Sequence, residues 1–333
     1  MVKGLEGAVK RPMPTAIHPM LATSIESPFD DPKWLFEIKW DGYRAIAFIE
    51  KGKVRLVSRN QNDLTGQYPE LHNLAASIKA DTAILDGEIA ALDENGRSSF
   101  SLMQQRTGIR ERGRRTSSRR DIPVLYYVFD LLYLDGYDLH RVELEKRKNA
   151  LAQIVDASGP LRYSEHFSQG KALFDVAKAK GLEGILAKCR DSVYQERRSQ
   201  EWLKIKITQT LDCVIGGYTD PEGSRLHFGS IVLGLYDKNG VLIHVGQAGS
   251  GFDQSMLKDI WKELHKRETT QTPFPHGVDA LRKVHWVKPE LVAEIKFSEW
   301  THVTTEGGAK LRAPVFLSLR KDKDPEECLL QEM

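Results

Sequence analysis

A lysine placed where an apolar strand pattern meets a tight turn is a candidate nucleophile, and Glu37-Ile38-Lys39-Trp40-Asp41-Gly42-Tyr43-Arg44 has that arrangement. An amine attacks when it is held neutral often enough, and nearby cations and desolvation loosen its hold on a proton. Asp41-Gly42 is a turn signal, and Gly42 lacks a Cβ that would block a ligand. Alternation through Trp34-Leu35-Phe36-Glu37-Ile38 predicts a strand, so Lys39 falls at its end. Taken alone, the hexapeptide from Lys39 to Arg44 also fits a surface hairpin with a solvated lysine. Further along, Lys204 and Lys206 stand two apart in a strand-like run and point to one face, which taken alone also fits the exposed face of a strand.

The elements that position these groups follow from periodicity and turn chemistry. Residues up to about Ile25, punctuated by Pro12, Pro14 and Pro19, are expected to form an extended arm on the first domain. Tyr43 to Glu50 and Val54 to Ser58 read as a hairpin about Lys51-Gly52-Lys53. Pro69 opens an expected helix to Lys79, and Ala83 to Leu92 an expected strand. A turn at Asn95-Gly96 and a short helix from Ser99 to Gln105 come next. Val124 to Leu134 is a buried apolar strand ending at Asp135-Gly136. Helical spacing covers Glu143 to Val155 and Lys171 to Lys180, the latter stopped by Gly181, before strands at Glu183–Lys188 and Trp202–Lys206. From Thr208 five short strands dominate, with one helix from Asp253 to Lys266, which points to a small Greek-key barrel such as an OB-fold. The Gly246–Gly251 run is read as a turn, since no phosphate-binding G-x-x-x-x-G-K-[ST] occurs.

Length and composition bound the answer. A chain of 333 residues suggests two domains. Lys plus Arg number 48 against 46 acids, so a nucleic-acid surface must come from charge placement and not from charge total. The most basic stretch is Arg106 to Arg120, where Arg112, Arg114 and Arg115 are candidates for phosphate backbone; a solvated loop is the competing reading. Cys189, Cys213 and Cys328 form no C-x-x-C pair, which argues against structural zinc or a disulfide framework and fits a reducing cytosol. Without an apolar signal core or a membrane-length run, a soluble, cytoplasmic protein is expected. His166 and His244 lack metal spacing and are read as structural, and Asp86 and Asp130 as partners of a backbone group or an arginine.

The order of motifs then resembles a known superfamily. It runs Lys39-x-Asp41-Gly42-x-Arg44, Ser58-Arg59-Asn60, Asp86-Gly87-Glu88, Phe129-Asp130, Glu183-Gly184-x-x-x-Lys188, Lys204-x-Lys206 and Arg320-x-Asp322-Lys323. This resembles the covalent nucleotidyltransferases: ATP-dependent DNA ligases, RNA ligases and mRNA capping enzymes. Within them the likeness is to the ligase module of bacterial ligase D and its stand-alone relatives. It is carried by Phe36 to Arg44, by Tyr194 through Arg197-Arg198-Ser199 to Trp202-Leu203-Lys204-Ile205-Lys206, and by Leu311-Arg312-Ala313-Pro314 to Lys323. Cys189 and Glu196 depart from that pattern and bear on loop shape only.

The resemblance implies an α+β chain. A nucleotidyltransferase (ATP-grasp-like DNA ligase) domain with antiparallel sheets spans residues 1–207, and a small OB-fold β-barrel spans 208–333. It implies that Lys39 takes AMP from ATP and passes it to the 5′-phosphate of a nick, with Mg²⁺ as cofactor. It implies that Lys204 and Lys206 grip the α-phosphate, that Glu88 and Glu183 hold ribose hydroxyls and the metal, that Phe129 stacks adenine and that Glu37 helps place it. Arg44 and Arg59 are candidates for the ribose edge and the nick phosphate. Arg320 and Lys323, with Arg312 a weaker candidate, would orient the departing pyrophosphate when the barrel closes. The implied partners are nicked or broken duplex DNA and an end-binding protein or repair polymerase, for a monomer associated with the bacterial nucleoid. The alternatives are an RNA ligase, a GTP-dependent capping enzyme, or a relative that binds nucleic acid without catalysis.

Overall fold

The computed structural model of the protein describes residues 4–107, 121–156, 159–223, 225–278, 283–301 and 308–330. The chain divides into two compact units, Met1–Ile207 and Thr208–Met333.

The first unit is built on two sheets. One is seven-stranded, with Leu125–Leu134 and Thr82–Ala90 at its centre, the hairpin Tyr43–Glu50 and Lys53–Ser58 beyond Thr82–Ala90, and Tyr137–Asp138, Val9–Lys10 and Leu161–Tyr163 completing it. The hairpin has the predicted turn, with Lys51 and Gly52 both at positive φ. The other sheet orders His166–Phe167, Trp34–Ile38, Gly184–Cys189, Arg198–Lys206 and Leu21–Ile25. Period-2 alternation divides side chains between faces. Ile46, Phe48, Ile84 and Phe129 of the first sheet pack with Leu35 and Trp202 of the second, along with Met20 and Tyr194. Ala45, Ala47, Leu85 and Val128 face the other way into a core with Tyr68, Leu74 and Leu151. Phe36, Ile185, Ala187 and Ile205 bury against Leu173 and Ala177 of the helix Gly170–Ala179. Trp202 is fully buried, and truncating it to alanine would cost about 3–5 kcal/mol.

Two expectations needed correction here. The helix from Pro69 is instead two 3₁₀ turns, Pro69–Leu71 and Leu74–Ser77, and the second ends where Ile78 becomes extended. Leu21–Ile25, expected as part of an arm, is a strand lying parallel to Arg198–Lys206. In the helix Leu144–Ile154 the apolar face also carries Arg147 and Lys148, and both are fully buried.

The second unit winds Leu242–Ala248, Ile231–Tyr236, Gln209–Thr219, Val284–Phe297 and Glu268–Thr269 into one sheet, and Val315–Leu319 joins Val284–Phe297. The strand expected at Val292–Phe297 starts earlier, at Val284. Its ladder with Gln209–Thr219 skips from Leu291 to Trp286, so Pro289 falls in the irregularity, where its missing N–H costs no pairing. The helix Gln254–His265 is capped by Asp253, whose carboxylate accepts the Met256 N–H at 2.7 Å. Gly246 to Ala248, expected as part of a turn, closes the strand Leu242–Ala248.

Candidate active site

Lys39 leaves the end of Trp34–Ile38 with its N–H donating to Gly184 O at 3.0 Å. Two glycines allow this path. A Cβ on Gly42 would sit 2.1 Å from Ile89 O, and one on Gly184, at φ +147°, would sit 2.2 Å from Ile205 O. The Asp41 N–H donates to Ser98 Oγ at 3.0 Å. Backbone register then brings distant motifs together. Gly184 pairs with Lys206, Leu186 with both Glu37 and Lys204, and Arg44 with Glu88.

Glu183 is the hub. Its carboxylate forms an ion pair with Lys39 and lies 2.8 Å from the Lys206 ammonium. Burial opposes its ionisation, yet Lys39 and Lys206 outweigh burial and hold its carboxyl below the usual range. Lys204 is pushed down by burial and by repulsion from Lys206, Arg198 and Lys39. Three lysines therefore surround one half-buried carboxylate. An arrangement with this excess of positive charge suits an anion such as a phosphate.

Glu88 is half-buried, and its carboxylate makes no hydrogen bond or ion pair among the described residues. Burial pushes its carboxyl up to about 7, against the pull of Lys39 and Arg44 and with repulsion from Glu183 and Asp41. A carboxylate without a partner beside a second one is a fit for a hard divalent cation. No group of three or more potential metal-binding side chains occurs among the described residues. Mg²⁺ is bound in such sites by one or two carboxylates, with substrate phosphates and water filling the remaining positions.

Three expected contacts look different in the structure. Arg44 commits its guanidinium to Asp86, with bonds of 2.5 and 2.6 Å, and Asp86 also accepts from Tyr194 Oη at 2.6 Å. Phe129 is 3% exposed; the Arg44 guanidinium lies 4.5 Å from its ring centroid and the Lys188 ammonium 4.1 Å. Phe129 thus packs within the core with two cations near its ring. Glu37 is fully enclosed, with Lys148 and Lys188 at 2.8 and 2.9 Å from its two oxygens. Arg59 by contrast is exposed and makes no bond among the described residues. Arg112, Arg114 and Arg115 lie outside the described residues. In the second unit Arg320 pairs with Asp212 and Asp322, Lys323 with Glu327 and more distantly with Asp212, and Arg312 with Glu299.

Sequence reasoning missed Lys148, Tyr127 and Ser164. Trp40 stacks on Tyr127 with centroids 3.6 Å apart, and its Nε1 donates to Ser164 Oγ at 3.2 Å. A lysine on the apolar face of a predicted helix was the one readable signal, because such a residue stays buried only if it is paired.

Residues 19–206 match the model of the ATP-dependent DNA ligase domain, and residues 224–323 that of the ATP-dependent DNA ligase C-terminal region. The chain belongs to the ATP-dependent DNA ligase family. It is 37% identical over 325 residues to the multifunctional non-homologous end joining protein LigD of Pseudomonas aeruginosa, covering 96% of this chain and 37% of that protein. It is 38% identical over 327 residues to LigD of Mycolicibacterium smegmatis, covering 96% and 40%. A DNA ligase of Thermococcus onnurineus is 32% identical over 329 residues, covering 94% of this chain and 57% of that one. The chain thus spans about two fifths of the length of these end-joining relatives. Among solved structures, mycobacterial DNA ligase D complexed with ATP and MES is 35% identical with a TM-score of 0.53, covering 95% of this chain and 98% of that one. The ligase domain of LigD from M. tuberculosis is 36% identical at a TM-score of 0.52, with the same coverage. As in that family, this chain carries a nucleotidyltransferase-type fold of mainly antiparallel sheets and a C-terminal OB-type region. No helix among the described residues is long and apolar enough to cross a membrane.

Proposed function

We propose that this ligase seals nicks in duplex DNA through AMP carried on Lys39, and that it serves the joining of broken ends. In the first step the Lys39 amine, having lost its proton, attacks the α-phosphorus of ATP. A P–N bond forms and the bond to the pyrophosphate oxygen breaks. In the second, an oxygen of the nick 5′-phosphate attacks the same phosphorus and the P–N bond breaks, releasing the lysine. In the third, the 3′-hydroxyl attacks the activated 5′-phosphate, a phosphodiester forms and AMP departs with the displaced oxygen.

The observation that carries this reading is the grouping of Lys39, Lys206 and Lys204 about Glu183, with Glu88 close enough to repel it. Fixed charges aimed at a reacting phosphorus are the main means by which such a site lowers the barrier. Lys204 and Lys206 hold the α-phosphate oxygens. Glu183, which pairs with the Lys39 ammonium, has to exchange that partner before the amine is free. Glu88 and Glu183 would hold Mg²⁺, which supplies positive charge to the α-phosphate when bound. Glu88 and Glu183 also reach the ribose hydroxyls. Arg59, exposed and unbonded, takes the nick phosphate. Arg106 is buried and bonded to Glu70, so within the arginine-rich segment 106–120 it is Arg112, Arg114 and Arg115 that would add contacts to the DNA backbone. The end-joining assignment rests on the LigD likeness, and an end-binding protein or a repair polymerase is the partner it suggests.

The test is mass analysis after incubation with Mg²⁺ and ATP, GTP or NAD. One AMP is expected on the native chain with ATP alone, and none on Lys39→Ala. Retention of the adduct by Lys39→Ala would refute the nucleophile, and a preference for GTP or NAD would refute the donor.

A further inference from the structure

The helix Leu144–Ile154 carries a lysine that reaches across from one sheet of the first unit to the other. Lys148 is fully buried, and its ammonium lies 2.8 Å from Glu37 Oε1. It also donates to Ser164 O at 3.0 Å and to Phe129 O at 3.4 Å. Phe129 belongs to the central strand of the seven-stranded sheet, and Glu37 to the five-stranded one. Two donors of the ammonium go to carbonyl oxygens, and the contact with Glu37 is an ion pair.

Its partners flank the nucleophile. Glu37 precedes Lys39 by two residues, on the strand from whose end Lys39 leaves. Trp40 follows Lys39, and its Nε1 is tied to Ser164 Oγ, on the residue whose carbonyl Lys148 holds. One ammonium thus braces the backbone on both sides of Lys39, directly through Glu37 and indirectly through Ser164 and Trp40. We propose that Lys148 is a positioning residue for the adenylylation step, fixing the strand end from which Lys39 attacks. This rests on the reading of Lys39 as the AMP carrier.

Electrostatics argue that Lys148 is more than a filler of the core. Lys188 already neutralises Glu37 from 2.9 Å, and Arg147 already neutralises Asp130 with bonds of 2.7 and 2.9 Å. Adding Lys148 leaves three buried cations against two buried acids. Burial and the repulsion of Lys148 push Lys188 down to about 8, against the pull of Glu37 and Asp130. Buried charges of this kind are weak stabilisers, and apolar residues of similar volume often serve stability as well or better. A position tolerating that surplus gains geometry, and a displacement of about 1 Å at a reacting group can cost 10²-fold in rate.

The experiment is single-turnover formation of lysyl-AMP across ATP concentrations in the full chain, with native protein and Lys148→Met. Methionine keeps the length and removes the charge. The rate constant at saturating ATP is expected to fall about 10- to 100-fold, while the half-saturating ATP concentration moves by less than about 3-fold, since Lys148 acts before the transition state only through placement. An unchanged rate constant would overturn the inference. So would a rise in half-saturating ATP at an unchanged rate, which would make Lys148 a binding residue. If Lys148→Met does not fold, Trp40→Phe carries the test. It removes only the strut to Ser164 and is expected to slow the same step with unchanged ATP dependence; no slowing would overturn the inference. If native protein gains no AMP on Lys39, the reading of the nucleophile fails instead, before either variant is compared.

Discussion

Glu88→Gln should make the protein more stable at pH 8 while disabling it. In the folded state burial raises the Glu88 carboxyl from the ordinary 4.5 to about 7. A raised acid binds more protons folded than unfolded, so stability falls as pH climbs from about 4.5 through about 7 and stays low above that. At about 1.4 kcal/mol per unit, the native chain at pH 8 bears a penalty of about 3 kcal/mol that the neutral amide avoids. The side chain is only half-buried, so solvent screening would bring this closer to about 2 kcal/mol. At pH 5, where folded Glu88 is protonated, the advantage of glutamine should shrink to below about 1 kcal/mol. The assay is urea unfolding of both proteins at pH 5 and pH 8, read by Trp fluorescence. Saturating Mg²⁺ at pH 8 should narrow the gap, because it binds the folded native site and not the amide. Equal stability at pH 8, or a gap that does not depend on pH, would refute the claim that Glu88 is a strained carboxylate kept for a cation.

The two arginines expected to act alike should separate. Arg44→Ala leaves Asp86 buried without its partner and should destabilise by about 3–5 kcal/mol, whereas Arg59→Ala, at an exposed position, should stay within about 0.5 kcal/mol and weaken binding to a nicked duplex; urea midpoints and a salt titration of binding decide it. In the second unit, Arg320 and Lys323 share Asp212, so if they orient pyrophosphate they must exchange that carboxylate for phosphate. Lys323→Ala should then slow lysyl-AMP formation by about 10²-fold and largely spare sealing of a nick that already carries 5′-AMP; equal losses in both single-turnover assays would refute that role.

What the sequence by itself determined lay where the signal is local. The hairpin of Tyr43–Glu50 with Lys53–Ser58 follows from alternation and from a Gly that accepts positive φ, and both act over a few residues. The helix start at Asp253 and the Asp135-Gly136 turn, with Asp135 and Gly136 at positive φ, are of the same kind. Lys39, Glu183 and Lys206 were legible as a set because their residue types and order carry the chemistry. What only tertiary structure decided lay where partners are distant in the chain. Leu21–Ile25 becomes a strand because Arg198–Lys206, some 180 residues on, offers it an edge. The segment after Pro69 has helical composition, yet Tyr68, Leu71 and Leu74 bury against the sheet in two short turns that a continuous helix does not match. Burial decided the side chains in the same way. Arg44, Phe129 and Glu37 read as ligand contacts in one dimension, and the fold sets beside them Asp86 and Lys188 from other strands and Lys148 from a helix. A charge removed from water must find its counter-charge wherever the fold brings one near, and no local pattern records which residue that will be.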